Sequence, residues 1–144
     1  MVPAILFYDV VVSVHVMAIV AAFGGWFAYP LVVPRGDAAA HRAQVRLARM
    51  VVNPAGTLAF AAGVYLATDR DYWDESWVGV PLLILVVLMG TTSAYFIPRQ
   101  ERLAELAEGG AGPEYAGLAD QVRTVALVAA ALVLVAIFFM VAKP

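Results

Sequence analysis

The chain alternates four long apolar segments with short polar ones. The apolar segments are residues 4–33, 45–67, 77–97 and 122–142, and none carries Asp, Glu, Lys or Arg near its centre. Each is long enough to cross a bilayer core of about 30 Å, which takes about 20 helical residues. The pattern predicts one all-α domain over residues 1–144, an integral membrane four-helix bundle whose helices run up and down in chain order.

The connection after the third apolar segment has helical character of its own. Residues 99–108 mix charged side chains with Ala and Leu, and the Gly-rich and Pro-containing stretch 109–113 ends the pattern. We predict a polar helix over residues 99–108 that lies solvated on the cytoplasmic surface. Docking of this helix to a partner protein is the alternative.

Composition supports the membrane assignment and removes several other classes of function. Hydrophobic residues make up 63% of the 144 positions and charged residues only 14%, so the lipid bilayer is the first predicted partner. The net charge of -2 is too small to favour a nucleic-acid partner. The chain has no cysteine, which excludes disulfides and thiolate ligands for metals.

The basic residues predict the orientation of the bundle in a cell membrane. Most basic residues lie in or beside two connections, the one between the first and second segments and the one between the third and fourth. The opposite side of the bundle has only Arg70 and Lys143. The positive-inside rule therefore places connections 34–44 and 98–121 in the cytoplasm and both termini outside. The basic residues that lie in these connections or flank them are Arg35, Arg42, Arg46, Arg49, Arg99, Arg102 and Arg123.

Aromatic and small residues predict how the helices sit and pack. Aromatic belts at the headgroups are expected on both sides of the bilayer. The outer belt would be Tyr72, Trp73 and Trp77, and the inner belt Trp26, Tyr29, Tyr95 and Phe96. Small residues recur about every fourth position in the first two segments, as Ala18, Ala22 and Gly25 and as Ala55, Ala59 and Gly63. These stripes favour close packing inside the bundle, with a homo-oligomer as the alternative.

His15 is the only histidine inside an apolar segment, where an imidazole needs a metal, a hydrogen-bond partner or a water-filled cavity. Counting helical turns from the outer surface places His15 level with Met89 and Thr57. We predict a pocket lined by His15, Met17, Thr57 and Met89, with Gly25 among the small residues that leave room for a flat ligand. His15 would supply one ligand to a haem iron or another metal, and a methionine, Met89, or a water would supply the second.

Two other interpretations of His15 stay open. It could hydrogen-bond to a Ser, a Thr or a backbone carbonyl of a neighbouring helix and bind nothing, or it could lie on a proton or substrate pathway. The second histidine, His41, lies among the arginines of the first connection and is predicted to be solvated.

Several short motifs carry a family resemblance. They are His15, Gly25, Tyr29-Pro30, Arg46-Leu47-Ala48-Arg49-Met50-Val51-Val52-Asn53-Pro54-Ala55-Gly56, Gly63, Trp77 and Arg99-Gln100-Glu101-Arg102. With these motifs the chain resembles the HemJ-type protoporphyrinogen oxidases and the related CopD-like membrane proteins, in particular their branch of small four-helix predicted integral membrane proteins. The resemblance implies a four-helix bundle and haem b with the first-helix histidine, here His15, as axial ligand.

Two departures from the HemJ type shape the expected function. That type has an arginine after the turn that Pro30 marks and a lysine shortly after the third-helix tryptophan, whereas this chain has Leu31 and Val80-Pro81 there. Because these departures affect residues of the oxidase type, enzymatic activity stays open. From His15 and the resemblance we expect a haem-binding protein with a redox role and a membrane redox partner. The alternative is a non-catalytic transporter or accessory subunit in which His15 is structural.

Overall fold

The computed structural model describes residues 3–32 and 37–144, with side chains at 6–31 and 37–144. Residues 34–36 of the first predicted connection, Arg35 among them, and the last residue of the first predicted span lie outside the described residues. The described residues form helices and no strands: α1 (Pro3–Val32), α2 (Ala38–Leu47), α3 (Asn53–Arg70), α4 (Ser76–Thr91), α5 (Ile97–Glu108) and α6 (Pro113–Ala142).

These elements make four long helices, because α2 continues into α3 and α4 continues into α5. Within the described residues, four stretches are long and apolar enough to cross a membrane: Leu6–Leu31, Ala38–Arg70, Ser76–Glu108 and Pro113–Ala142. The all-helical class and the number of candidate spans are therefore confirmed. The second, third and fourth stretches are longer than predicted, because their helical backbone continues without a break through polar residues at one end of the bundle.

Short π-helical segments join the halves of the second and third long helices. They cover Ala48–Val52 and Thr92–Phe96, and each is followed two residues after its end by a proline, Pro54 or Pro98. Proline lacks an N–H group and its ring clashes with the carbonyl four residues earlier. A wider π turn relieves that clash while the helix continues, so both segments have the same sequence cause.

Contacts between helices show that consecutive long helices are antiparallel. His15 of α1 meets Ala59 of α3, whereas a Cβ placed on Gly25, nearer the end of α1, would strike Val52 at the start of the same neighbour. Gly56 near the start of α3 lies against Met89 near the end of α4. The Ser76 hydroxyl at the start of α4 donates a hydrogen bond to the carbonyl of Pro144, which follows α6. The bundle thus has a loop end, which carries residues 71–75 and Lys143, and an arginine end, which carries α2 and α5.

The small-residue stripes pack inside the bundle, as predicted. Ala18, Ala22 and Ala59 are buried, and Gly63 lies against the His15 ring. Replacing such residues by larger ones would separate α1 from α3, since backbones this close leave no room for side chains. The stripes are therefore used within one chain.

Large apolar side chains cover much of the outer surface of the bundle. Leu31, Met17, Val20, Leu83 and Phe138 each expose more than half of their surface. A water-soluble bundle would turn such side chains inward, so this surface fits the hydrocarbon of a lipid bilayer.

The predicted inner aromatic belt is wrong. Trp26, Tyr29 and Phe96 are buried in the core, and the rings of Tyr29 and Phe96 stack with centroids 4.8 Å apart. The Trp26 indole N–H donates a hydrogen bond to the Thr92 hydroxyl over 2.6 Å, within the second π segment. These three side chains therefore pack inside the bundle and do not form a belt on its outer surface.

The polar helix 99–108 is also more than a solvated surface helix. It is α5, the direct continuation of α4, and it packs against α2 with Gln100, Leu103 and Ala104 buried. Only its outer face is exposed. The bundle therefore extends past its apolar part as a polar end built from α2, α5 and the start of α6.

Candidate functional site

His15 lies on α1 at its contact with α3 and is partly buried. Its Nδ1 is 2.9 Å from the backbone carbonyl oxygen of Ala59. A carbonyl oxygen can only accept a hydrogen bond, so Nδ1 carries the proton and Nε2 is the nitrogen with the free lone pair. No hydrogen bond joins Nε2 to the residues that the structure describes. His15 is thus held in the tautomer that can accept a proton or bind a metal through Nε2.

The carbonyl of Ala59 is able to accept this bond only because the neighbouring backbone is so close. A Cβ on Gly63, one turn further along α3, would lie 3.2 Å from His15 Cε1. Glycine at this position leaves the space that the imidazole ring occupies. The small-residue stripe of α3 therefore positions the histidine as well as packing the helices.

A cavity of about 480 Å³ lies beside the ring and reaches toward the loop end. This volume is in the range of small-molecule and cofactor sites. Its walls come from α1, α3, α4 and the end of α6, and they are mostly apolar. The lining includes His15, Ile19, Phe23, Leu85 and Met140.

The mouth of the cavity combines aromatic and basic side chains. Tyr8, Tyr72 and Trp77 line it, and the Lys143 ammonium nitrogen lies 4.6 Å from the centroid of the Trp77 ring. The Arg70 guanidinium stacks over the Tyr8 ring at 4.2 Å. Lys143 lines the cavity itself, and Arg70 is held on the ring of a lining residue. Their positive charges would attract the acidic groups of a ligand whose body is apolar.

The other residues predicted to join His15 lie elsewhere. Met17 is 64% exposed on the outer surface of α1. Thr57 is exposed and its hydroxyl donates to the Asn53 carbonyl. Met89 packs near Gly56, whose added Cβ would lie 3.1 Å from the methionine sulfur. None of these side chains lines the cavity beside His15.

His15 lies nearer the loop end than predicted. The ring is level with Ala59 and Gly63 of α3 and with Leu82 of α4, whereas Met89 lies further toward the arginine end. The predicted depth assumed that every span begins at the same membrane surface. The tilt of each helix and its offset along its neighbours are instead set by packing. Gly25 is likewise distant from the ring, and lies against Val52 at the first π segment.

Sequence reasoning missed the residues that complete the cavity. Met140 comes from the last turn of α6, and Tyr72 and Trp77 were assigned to an aromatic belt alone. The one signal in the sequence is that the positive-inside rule predicts residues 71–77 and 140–143 on the same side of the membrane. Met140 is the methionine that shares the cavity with His15.

His41 has the opposite environment, and its predicted solvation is wrong. The residue is 0% exposed, between α2, α5 and α6. Nδ1 donates a hydrogen bond to Gln100 Oε1 over 2.6 Å, because an amide oxygen can only accept. Nε2 lies within hydrogen-bond distance of the Tyr115 hydroxyl, at 2.7 Å. Both ring nitrogens are therefore used in holding three helices together.

The described residues contain no group of three or more His, Asp or Glu side chains placed to hold a metal ion. A bare divalent ion usually takes three or four protein ligands, so His15 by itself does not make such a site. Haem brings four ring nitrogens and needs only one or two ligands from the protein. The donor set of the cavity therefore fits haem better than a bare ion.

Comparison with protein-family models, with curated proteins and with solved structures finds no match to this chain. The resemblance to HemJ-type and CopD-like proteins thus stays a prediction.

Proposed function

We propose that this protein is a multi-pass membrane protein that binds haem b in the cavity beside His15, with that histidine as axial ligand, and serves a redox role. One observation carries the proposal: Nδ1 of His15 donates to the Ala59 carbonyl, which leaves Nε2 for a ligand beside a cavity of about 480 Å³. Histidines that bind metals usually donate their second ring nitrogen in this way, because the bond fixes the tautomer and makes the ligating nitrogen more basic.

The residues of the cavity have distinct roles in this proposal. His15 would hold the iron, and Gly63 leaves the space that the imidazole occupies. The apolar walls exclude water, and Lys143 at the rim provides a positive charge for the carboxylates of the porphyrin. Met140 is the candidate second ligand in place of Met89. When bound, the haem would supply one-electron redox chemistry, with a redox partner in the same membrane.

The exposed apolar belt of the bundle supports insertion in a cell membrane as an up-and-down four-helix bundle. The orientation follows from the positive-inside rule, because most arginines lie at one end of the bundle. In this orientation both termini and the mouth of the cavity face outside, and connections 34–44 and 98–121 face the cytoplasm.

The spectrum of the purified protein tests the haem site. Protein from haem-sufficient cells should show a Soret band and, once reduced, α and β bands. His15→Ala should lose these bands while its circular dichroism stays helical. Met140→Ala should shift the spectrum if sulfur binds the iron, and Met89→Ala is the matched control that should leave it unchanged. A colourless wild type with no haemochromogen after haem is added would refute the proposal.

Cysteine labelling tests the orientation independently of the cofactor, because the natural chain contains no cysteine. In intact cells, an impermeant thiol reagent should modify Asp74→Cys in the loop end and spare Ala39→Cys and Gly110→Cys at the arginine end. All three positions are exposed, so accessibility within the fold is matched. The reverse labelling pattern would invert the proposed topology without affecting the haem proposal.

A second function is favoured by one feature of the same site. The bond to Ala59 already satisfies one nitrogen of a partly buried histidine, which is enough for a structural role. In that case the protein is a non-catalytic transporter or an accessory subunit of a larger membrane complex. A wild type that binds no haem, together with a reduced melting temperature for His15→Ala, would favour this alternative.

A further inference from the structure

A groove of about 470 Å³ runs between α2 and α5 at the arginine end of the bundle, on the side away from the His15 cavity. Arg42, Arg46 and Arg49 line it. Their spacing of four and three residues places them on one face of the helix that runs from α2 into the first π segment. The groove therefore presents three guanidinium groups in a row.

The charges of this groove are unevenly paired. Arg42 forms an ion pair with Glu108, and Arg49 forms one with Glu101 over 2.8 Å. Arg46 is exposed and has no ion-pair partner among the described residues.

The glutamates that line the groove already form ion pairs with arginines. Glu101 is paired with Arg49, and Glu105 accepts from Arg102, which lies outside the lining, at 3.3 Å. Glu108 pairs with Arg42. Among the arginines that line the groove, Arg46 alone therefore keeps a positive charge that no carboxylate of the described residues pairs with.

The groove also borders the apolar surface of the bundle. Met50 lines it and is 70% exposed, and the next residue, Val51, is exposed as well. A ligand that fits this boundary carries one negative charge at a head and hydrocarbon directly below it. A phospholipid with a net negative headgroup has this structure, and arginine binds phosphate oxygens in a forked geometry.

We propose that this groove is a binding site for the phosphodiester of an anionic phospholipid, with Arg46 as the principal contact and with Arg42 and Arg49 on either side. One acyl chain lies along Met50 and the apolar surface beyond it. Basic pockets at the ends of membrane helices commonly hold such headgroups. The proposal does not depend on haem binding or on which side of the membrane the groove faces.

Native mass spectrometry of the detergent-purified protein tests this site, with phosphatidylglycerol and phosphatidylcholine of equal chain length offered in competition. Phosphatidylglycerol should be retained preferentially. Arg46→Gln should weaken its binding about fivefold, the effect of one basic residue near a headgroup. Arg123→Gln is the matched control, since it removes the same charge from an exposed position of α6 outside the groove.

Each other outcome overturns the proposal. Equal retention of the two lipids would mean that the groove does not select an anionic head. Equal losses in Arg46→Gln and Arg123→Gln would mean that binding follows overall charge. Displacement of phosphatidylglycerol by millimolar inorganic phosphate alone would identify a site for free phosphate, in which the acyl chain plays no part.

Discussion

The two histidines of the chain occupy opposite ends of the bundle and make opposite use of their ring nitrogens. His15 donates one hydrogen bond, to a backbone carbonyl, and its ring borders a cavity. His41 is completely buried, with both nitrogens bonded to side chains of other helices. A histidine whose nitrogens are both occupied by protein groups ties helices together, whereas one with a nitrogen left over beside a cavity can take a ligand.

The two environments also differ in how they are built. Around His15 the helices approach through small residues, and the space left at the loop end becomes a cavity. Around His41 the helices are held by polar side chains of α2, α5 and α6, and the space is filled. The hydrogen bonds of His41 therefore tie together three of the four long helices at the arginine end.

The largest effect expected on stability is at His41. His41→Ala removes two buried hydrogen bonds and leaves a cavity among three helices, at a cost of about 2 to 4 kcal/mol. His15→Ala removes one hydrogen bond from a partly buried side chain, at about 1 kcal/mol. Thermal melts in detergent, without added haem, should therefore show the lower melting temperature for His41→Ala. A lower melting temperature for His15→Ala than for His41→Ala would contradict the roles assigned to the two histidines.

A smaller effect is expected at two neighbouring glycines of α1. A Cβ on Gly25 would collide with Val52, so Gly25→Ala should cost about 1 to 3 kcal/mol and push α1 away from α3. A Cβ on Gly24 meets nothing within 4 Å, and Gly24→Ala should be neutral or stabilising by up to about 1 kcal/mol, because alanine favours helix. The same detergent melts measure both variants.

The glycine pair also sharpens the comparison between the two ends of the bundle. The His15 bond to Ala59 depends on the close approach of α1 and α3. Gly25→Ala should therefore weaken haem binding as well as stability, whereas Gly24→Ala should leave both intact. Equal melting temperatures for the two variants would show that α1 and α3 adjust freely, and that the position of His15 is not set by this contact.

Much of the fold follows from local properties of the chain. Four apolar stretches of spanning length predict four long helices, and the structure confirms them. The prolines at positions 54 and 98 explain why each of the two middle helices carries a π segment. The small residues of α1 and α3 predict their close packing. These features depend on side-chain size, hydropathy and backbone chemistry within one segment.

The site was predictable only in part. His15 stands out in the sequence because a lone imidazole in an apolar segment needs a partner. Its neighbours could not be identified, because a count of turns from an assumed surface ignores how far each helix slides along the next. Met140 at the far end of the chain was therefore missed, and Met89 was brought too close.

The sequence by itself determined that the chain is helical, that four of its segments are apolar enough to span a bilayer, and that a single histidine lies within one of them. Tertiary structure alone decided which histidine is buried and which borders a cavity. Hydropathy is a sum over neighbouring residues and can be read along the chain. Burial and hydrogen bonding of a side chain depend on residues 44, 59 and 74 positions away, such as those that bond His15 and His41, and only the packed bundle brings them together.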